Sequence, residues 1–151
     1  MPDRPNRMRR NGRGEDPAFD PTEKLFRRYT RTHYINGQFS GTGFAFDSPP
    51  SVNRQKYSEP GDVLFSETDE FAEWGVLSFK VADIPASFSP ENPQYGFFPK
   101  HMPMEDNYAH SEVWSDKLPN TGAYVKPSSQ IRKLFRAALA QRVVVEIAAT
   151  I

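Results

Sequence analysis

Residues 25–39, with the sequence LFRRYTRTHYINGQF, decide whether the chain begins with a sheet or with a helix. The run is rich in aromatic and β-branched residues, which favour strands. Asn36-Gly37 lies near its end, and this pair suits the two positive-φ positions of a type I′ hairpin turn. Residues 39–46 are predicted as the returning strand. The stretch therefore predicts a β-hairpin.

A helix is the competing interpretation of the same residues. Asp20 is a good capping residue, Pro21 suits the first helical position, and Glu23 lies three residues after the cap. The apolar side chains that follow also fit one helical face. Because the composition and the Asn-Gly pair both favour strands, the hairpin is the preferred interpretation.

Two further strands are predicted before the middle of the chain. Residues 74–81 give the clearest one, because Leu77, Phe79 and Val81 fall on one face of an alternating pattern. A short strand is also predicted over residues 62–65, after the Pro60-Gly61 turn. The acidic stretch between these two strands is predicted as a solvated turn.

The region from residue 85 to residue 119 is predicted as a long Pro-rich loop. Prolines lack the amide hydrogen of a ladder, so their density argues against regular strands. The region also contains several aromatic residues, which indicates a loop packed onto the domain. The prolines are Pro85, Pro90, Pro93, Pro99, Pro103 and Pro119.

The C-terminal part predicts one amphipathic helix followed by a strand. Ser128 and Ser129 can cap the helix, and an apolar stripe then recurs at helical spacing. A final strand is predicted over residues 143–147. The predicted fold class is α+β, a mostly antiparallel sheet with one C-terminal helix packed on it. The stripe consists of Ile131, Leu134, Phe135, Ala138 and Leu139.

Length and composition predict one domain over residues 19–151. The chain has 151 residues, no cysteine and a formal net charge of zero. The absence of cysteine excludes disulfides, thiolate metal sites and cysteine nucleophiles. No run of 18 apolar residues exists, which predicts no membrane span, and no apolar signal segment is found near Met1. We expect a cytoplasmic protein.

Residues 1–18 are predicted as a disordered basic tail. They contain five arginines and almost no apolar residue, so they are expected to bury too little surface to order themselves. The tail is either an arm that contacts nucleic acid or an acidic partner, or a solvated segment without a role.

Five short motifs recur in a pattern known from other proteins. They are LFRR at 25–28, FS through AF at 39–46, SVNR at 51–54, NYAH at 107–110 and RKL at 132–134. Together they resemble a set of small bacterial proteins whose activity is not established. The resemblance implies a bacterial, cytoplasmic setting and draws attention to these residues, without implying a reaction.

His110 is the first candidate for chemistry. A histidine titrates near neutral pH, so it can act as general acid or base, and Asn107 could orient it or bind a substrate carbonyl. The alternative is that both side chains bind backbone groups and pin an irregular loop. His33 is a possible second proton carrier.

Arg54 is the second candidate. Its guanidinium could hold a phosphate or a carboxylate in two hydrogen bonds, with the Ser51 hydroxyl as a further donor. The alternative is a structural ion pair with a nearby acid. Arg27 and Arg28 are adjacent on a strand and point to opposite faces, so Arg28 is a further candidate ligand. We predict that Arg54, Asn107 and His110 belong to one site.

These residues leave two hypotheses for function open. The first is a small binding or accessory module that acts with a protein or nucleic-acid partner. The second is a small metal-independent enzyme on a phosphate-bearing substrate, such as an RNase or a nucleotide-dependent transferase, with Arg54 and His110 at its centre. The three histidines lack metal-ligand spacing and no phosphate-loop motif is present, so neither metal nor cofactor is predicted.

Overall fold

The computed structural model describes residues 4–40, 48–85, 87–88, 95–117 and 121–151. It contains nine strands and one α-helix in these residues. In chain order they are β1 (Lys24–Tyr29), β2 (Tyr34–Ile35), β3 (Gln38–Phe39), β4 (Ser51–Arg54), β5 (Gly75–Lys80), β6 (Ser87–Phe88), β7 (Tyr95–His101), β8 (His110–Lys117), α1 (Ser129–Ala140) and β9 (Val144–Ile147).

Seven strands form one sheet, in the order β6-β7-β8-β4-β1-β5-β9. Every pairing within it is antiparallel. α1 packs on one face, where Ile131, Phe135 and Leu139 are buried in the core. The Ser128 hydroxyl caps the helix by accepting from the Ile131 amide. The α+β prediction is therefore confirmed, with the helix and the final strand where the sequence indicated.

The Asn36-Gly37 turn is confirmed, but its hairpin is much shorter than predicted. Asn36 and Gly37 have φ of 53° and 75°, and they join the two-residue strands β2 and β3. β1 ends at Tyr29 and pairs within the large sheet instead, because a 3-10 turn at Arg31–His33 separates it from β2. Residues 41–46 of the predicted returning strand lie outside the described residues.

The predicted Pro-rich loop contains the longest hairpin of the sheet, β7 with β8. Pro99 fits inside β7 because its partner Val113 donates its amide to Pro50 on the opposite side. Pro99 and Val113 therefore form a pair without ladder hydrogen bonds, and the missing proline amide hydrogen costs nothing there. The predicted strand at 62–65 is also wrong, since Pro60–Leu64 is a 3-10 helix capped by Glu59.

Residues 4–18 pack on the domain, which corrects the prediction of a disordered tail for this part of it. Met8 is buried at 1% exposure, and its carbonyl accepts from the Tyr108 amide. Arg7 forms two hydrogen bonds with the buried Asp62 carboxylate, at 2.7 and 2.8 Å. A segment of low hydropathy is ordered here because its arginines and carbonyls find specific partners. Residues 1–3 lie outside the described part of the chain.

Candidate functional site

A cleft of about 490 Å³ opens where β1 and β4 separate. The two strands pair at Leu25 with Arg54 and at Phe26 with Asn53. Beyond these pairs the Arg27 guanidinium, rather than a backbone amide, donates to the Ser51 carbonyl at 2.6 Å. The lining comprises Arg4, Phe26, Arg27, Arg28, His33, Ser51, Val52, Asn53, Asp62, Val63, Phe65, Phe71, Trp74, Met104, Asn107 and His110.

Strand register explains why polar residues from three strands meet in this cleft. Asn53 is paired with Phe26 on one side and with His110 on the other, so these three share one face of the sheet. Ser51 lies two residues before Asn53 and shares that face. Five of the six predicted site residues line the cleft: Arg28, His33, Ser51, Asn107 and His110.

The cleft carries a concentration of positive charge. The Arg28 guanidinium lies 3.7 Å from the Phe71 ring centroid, and that of Arg4 lies 5.6 Å from the ring of Phe65. Burial, together with the charge of Arg28, lowers the pKa of Arg27 to about 10, so Arg27 remains cationic at neutral pH. All three arginines line the cleft, and the Arg27 guanidinium also donates to the Ser51 carbonyl.

Acidic side chains offset part of this charge, including Glu70, whose charge attracts the Arg28 guanidinium. Asp62 is the one carboxylate among the described lining residues, and it is bound by Arg7 through both oxygens. Arg4 also approaches Asp106 at 3.8 Å, but that side chain is 60% exposed and its attraction is screened by water. A cleft with three arginines and one committed carboxylate is suited to an anion.

The His110 ring is fixed by two hydrogen bonds. Its Nδ1 lies 2.8 Å from the Met102 carbonyl, and a carbonyl can only accept. Nδ1 therefore carries the proton of the neutral ring, and Nε2 presents a lone pair. Nε2 faces the Ser51 hydroxyl at 3.3 Å, so Ser51 is the donor in this contact. The arrangement leaves His110 able to accept a proton at Nε2.

His33 lies on another part of the cleft lining. Its Nδ1 accepts from the Thr30 amide at 3.4 Å, which places the proton of the neutral ring on Nε2. Burial, reinforced by the charge of Arg27, lowers the pKa of His33 below its ordinary value. His33 is therefore predominantly neutral at pH 7 and can donate a hydrogen bond from Nε2.

Asn53 and Asn107 form an amide pair at the floor of the cleft. Asn107 Nδ2 donates to Asn53 Oδ1 at 2.8 Å. The Asn53 Nδ2 and the Asn107 Oδ1 are buried without a partner among the described residues. Buried amide groups ordinarily have hydrogen-bond partners, so these two atoms are available to a water molecule or a ligand in the cleft.

Arg54 does not belong to this cleft, which corrects the one-site prediction. It follows Asn53 on β4 and therefore points to the opposite face of the sheet. Its side chain is fully buried, with Nε and Nη2 on the Glu23 carboxylate at 3.0 and 2.9 Å. Nη1 and Nη2 also donate to the carbonyls of Asp16 and Ala18 at 2.6 and 2.7 Å. Arg54 is a structural residue that holds the N-terminal segment against the sheet.

His101 is also a structural residue. Its Nδ1 accepts from the Asp16 amide at 2.8 Å, and its Nε2 donates to the Tyr108 carbonyl at 2.6 Å. Both ring nitrogens are therefore used by the backbone, and burial lowers the pKa of the ring. These contacts keep His101 neutral and place it outside the cleft.

Sequence reasoning missed several lining residues. Arg4 falls within the predicted disordered tail, and no sequence pattern indicates that it lines the cleft. Asn53 had one: it lies two residues from Ser51, and residues at that spacing share a strand face. Phe65 contacts Arg4, Phe71 contacts Arg28, and Trp74 lines the same cleft. The sequence predicts turns and strands at these positions and gives no sign of a shared site.

Neither a metal centre nor a membrane helix is found in the described part of the chain. No group of three or more metal-ligating side chains comes together in residues 4–40, 48–85, 87–88, 95–117 and 121–151. Over the same residues, the model has no helix with the length and apolarity needed to span a bilayer. Comparison with protein-family models, with curated proteins and with solved structures gave no match.

Proposed function

We propose that this chain is a small binding module of the bacterial cytoplasm whose cleft holds a nucleotide through its phosphate. The observation that carries the proposal is that Arg4, Arg27 and Arg28 line one cleft, where the one carboxylate among the described lining residues is already bound by Arg7. The whole protein has no net charge, so this local excess of positive charge is a property of the cleft.

The chemistry of arginine favours phosphate among anions. A guanidinium offers parallel N–H groups that match two oxygens of a phosphate, and charge-assisted hydrogen bonds of this kind are about twice as strong as neutral ones. Phosphate would also relieve the repulsion between Arg27 and Arg28 that contributes to the lowered pKa of Arg27. An anion is the ligand that gains most from this arrangement.

The remaining lining supports a nucleotide over a bare phosphate. Trp74 and Met104 add apolar surface, and Phe71 contacts Trp74 edge-on with ring centroids 5.0 Å apart. Sites for small molecules combine such surfaces with a few polar anchors. The cleft volume of about 490 Å³ also lies within the range of small-molecule sites, about 300–1,000 Å³.

The N-terminal arginines have different roles in this proposal. Arg4 lines the cleft, whereas Arg7 is committed to Asp62 and Arg13 lies 3.8 Å from the Tyr108 ring centroid. Arg9 is exposed, so a nucleic-acid or protein partner can reach the N-terminal segment that contributes Arg4 to the cleft. An accessory role beside such a partner is therefore compatible with nucleotide binding.

Calorimetric titration at low salt tests the proposal. We expect AMP to bind and adenosine to bind at least tenfold more weakly. Arg28→Ala should weaken AMP binding about tenfold or more, because a hydrogen bond to a charged group contributes about 1.5–3 kcal/mol. Arg142→Ala, which removes an exposed arginine beyond α1, is the matched control and should leave binding unchanged. Equal affinity for AMP and adenosine would contradict the proposal, as would no binding of AMP at all.

A small metal-independent enzyme acting on a phosphate-bearing substrate is the second candidate function. The contact between the Ser51 hydroxyl and His110 Nε2 favours it, because it places a hydroxyl next to a base inside the cationic cleft. Arg54 takes no part in this version, since its donors are bound by Glu23 and by backbone carbonyls.

A further inference from the structure

A chain of hydrogen bonds runs from the backbone through His110 to Ser51. The Met102 carbonyl fixes the Nδ1 proton, and Nε2 then faces the Ser51 hydroxyl. A nucleophile, a base and a group that orients the base make up the usual arrangement for nucleophilic catalysis. The 3.3 Å contact is slightly long, as such contacts often are before substrate binds.

We propose that Ser51 is a nucleophile that attacks the phosphorus of a phosphodiester bound in the cleft, with His110 as its general base. The proposal rests on the phosphate-binding function given above. It adds a reaction, a nucleophile and a substrate class to that function.

The strand alternation places the other required groups on the same face as Ser51. Arg28 lies two residues after Phe26 and Ser51 lies two residues before Asn53, so both belong to the face of that pair, and both line the cleft that opens where the two strands separate. On its other side Ser51 is paired with Glu112, next to His110 on the same face. A cation and a base therefore line the same cleft as the hydroxyl.

These positions match the charges that change during the reaction. The phosphoryl oxygens gain negative charge as the serine oxygen attacks, and the Arg28 guanidinium can stabilise them. Glu112 is occupied in accepting from the Trp114 indole at 2.9 Å, and it can also stabilise the His110 imidazolium that forms. Ser51 is exposed, so a substrate can reach its hydroxyl.

The bond changes balance in two steps. His110 Nε2 takes the proton of the Ser51 hydroxyl, the serine oxygen bonds to phosphorus, and the alkoxide that leaves receives that proton from Nε2. Water then attacks the phosphorus of the serine ester, giving one proton to Nε2, and the Ser51 oxygen leaves and recovers that proton. The net reaction is hydrolysis of one ester bond, with the serine and the histidine restored.

A phosphodiester fits these steps better than a phosphate anhydride. The alkoxide leaving group of an ester needs a proton, and the His110 imidazolium supplies one. A diester also carries a single negative charge, so it repels an approaching hydroxyl less than a dianionic monoester does. The substrate class is therefore an ester of phosphate with two alcohols, such as one internucleotide linkage.

A fluorophosphonate probe tests the nucleophile on the intact protein. The probe has an electrophilic phosphorus and releases fluoride when a serine attacks it. We expect peptide mapping of the wild-type protein to find the label on Ser51. His110→Gln should slow the labelling at least a hundredfold, in the range typical of a lost general base. Arg142→Ala should label at the wild-type rate.

A dinucleotide with a single phosphodiester provides the second arm. The wild-type protein should cleave it, Ser51→Ala should not, and an excess of it should slow the labelling of Ser51. Absence of label on Ser51, or equal cleavage by wild type and Ser51→Ala, would overturn the inference. If AMP still binds in a manner that depends on Arg28, that result leaves the proposed binding function intact; if AMP does not bind, both proposals fail.

Discussion

Two regions of this molecule are built from the same kinds of side chain and differ in where their partners lie. The buried Arg54 cluster comprises Arg54, His101, Asp16 and Glu23, and its donors and acceptors meet inside the protein. The cleft also combines arginine and histidine with polar side chains. Its arginines outnumber its carboxylates, and two of its amide atoms are buried without partners in the described residues.

The difference shows how a structural arginine can be separated from a ligand-binding one. Burial of a guanidinium is costly unless a carboxylate and further acceptors compensate it, and Arg54 has both. Arg4 and Arg28 instead line an open cleft, where a bound anion can compensate their charge. The number of acceptors that the protein itself supplies to each arginine distinguishes the two regions better than residue type or burial does.

Among the changes to the buried Arg54 cluster, removal of residues 1–18 should cause the largest loss of stability. The deletion removes the Asp16 and Ala18 carbonyls from Arg54 and the Asp16 amide from His101, and it exposes the core around Met8. We expect the melting temperature to fall by roughly 10 °C or more, equivalent to about 3–5 kcal/mol for a chain of this size. A thermal melt that is unchanged within two degrees would contradict the ordered N-terminal segment.

Arg54→Ala should have the next largest effect. It leaves the Glu23 carboxylate buried without its cation, a change that typically costs about 3–5 kcal/mol. Urea unfolding followed by circular dichroism measures the loss. Glu23→Gln should also destabilise the fold, because both Glu23 oxygens accept hydrogen bonds, so an amide N–H would face a donor and the buried guanidinium would lose its anion. A loss below 1 kcal/mol for Arg54→Ala would remove the basis of the comparison.

Strand periodicity contained more information about these regions than composition did. Residues 51–54 directly follow two prolines, which interrupt strands, so composition alone does not predict a strand in this segment. As a strand, this segment puts Ser51 and Asn53 on one face and Arg54 on the other. The split between site and structural residue follows from that assignment alone.

Other features depended on tertiary partners that no local pattern contains. The Asn36-Gly37 turn is a local signal that the structure contains, and the apolar stripe of α1 is found in part, since Ile131, Phe135 and Leu139 are buried whereas Leu134 is exposed. Pro99 is tolerated because of the register between β7 and β8, which sequence reasoning could not supply. The order of residues 4–18 arises from long-range pairs such as Arg7 with Asp62.

Acid should weaken the buried Arg54 cluster through Asp16. The hydrogen bonds from Lys56 and Tyr57 hold the pKa of Asp16 well below its ordinary value. A carboxyl group whose pKa is lower in the folded state stabilises the fold above its unfolded pKa, about 3.9, and that stabilisation is lost as the pH falls below it. Asp16→Asn should therefore reduce stability at pH 7 and flatten its decline between about pH 5 and pH 2. Urea midpoints measured across that range check the slope, which would be the same in both proteins if Asp16 were not involved.

Substitutions in the cleft should have the smallest effect on stability and a large effect on binding. Arg28 is exposed, and Arg28→Ala removes its contact with the Phe71 ring, worth about 0.5–1 kcal/mol at such a site, together with an exposed hydrogen bond of 3.2 Å to the Val63 carbonyl. The urea midpoint should therefore move by less than a third of the shift caused by Arg54→Ala, while AMP binding weakens about tenfold, the loss expected for a charge-assisted hydrogen bond. Arg54→Ala, measured where it remains folded, should show the reverse pattern, with AMP binding largely retained. A loss of stability from Arg28→Ala as large as that from Arg54→Ala would make the cleft a second structural cluster, and the distinction drawn from partner balance would be wrong.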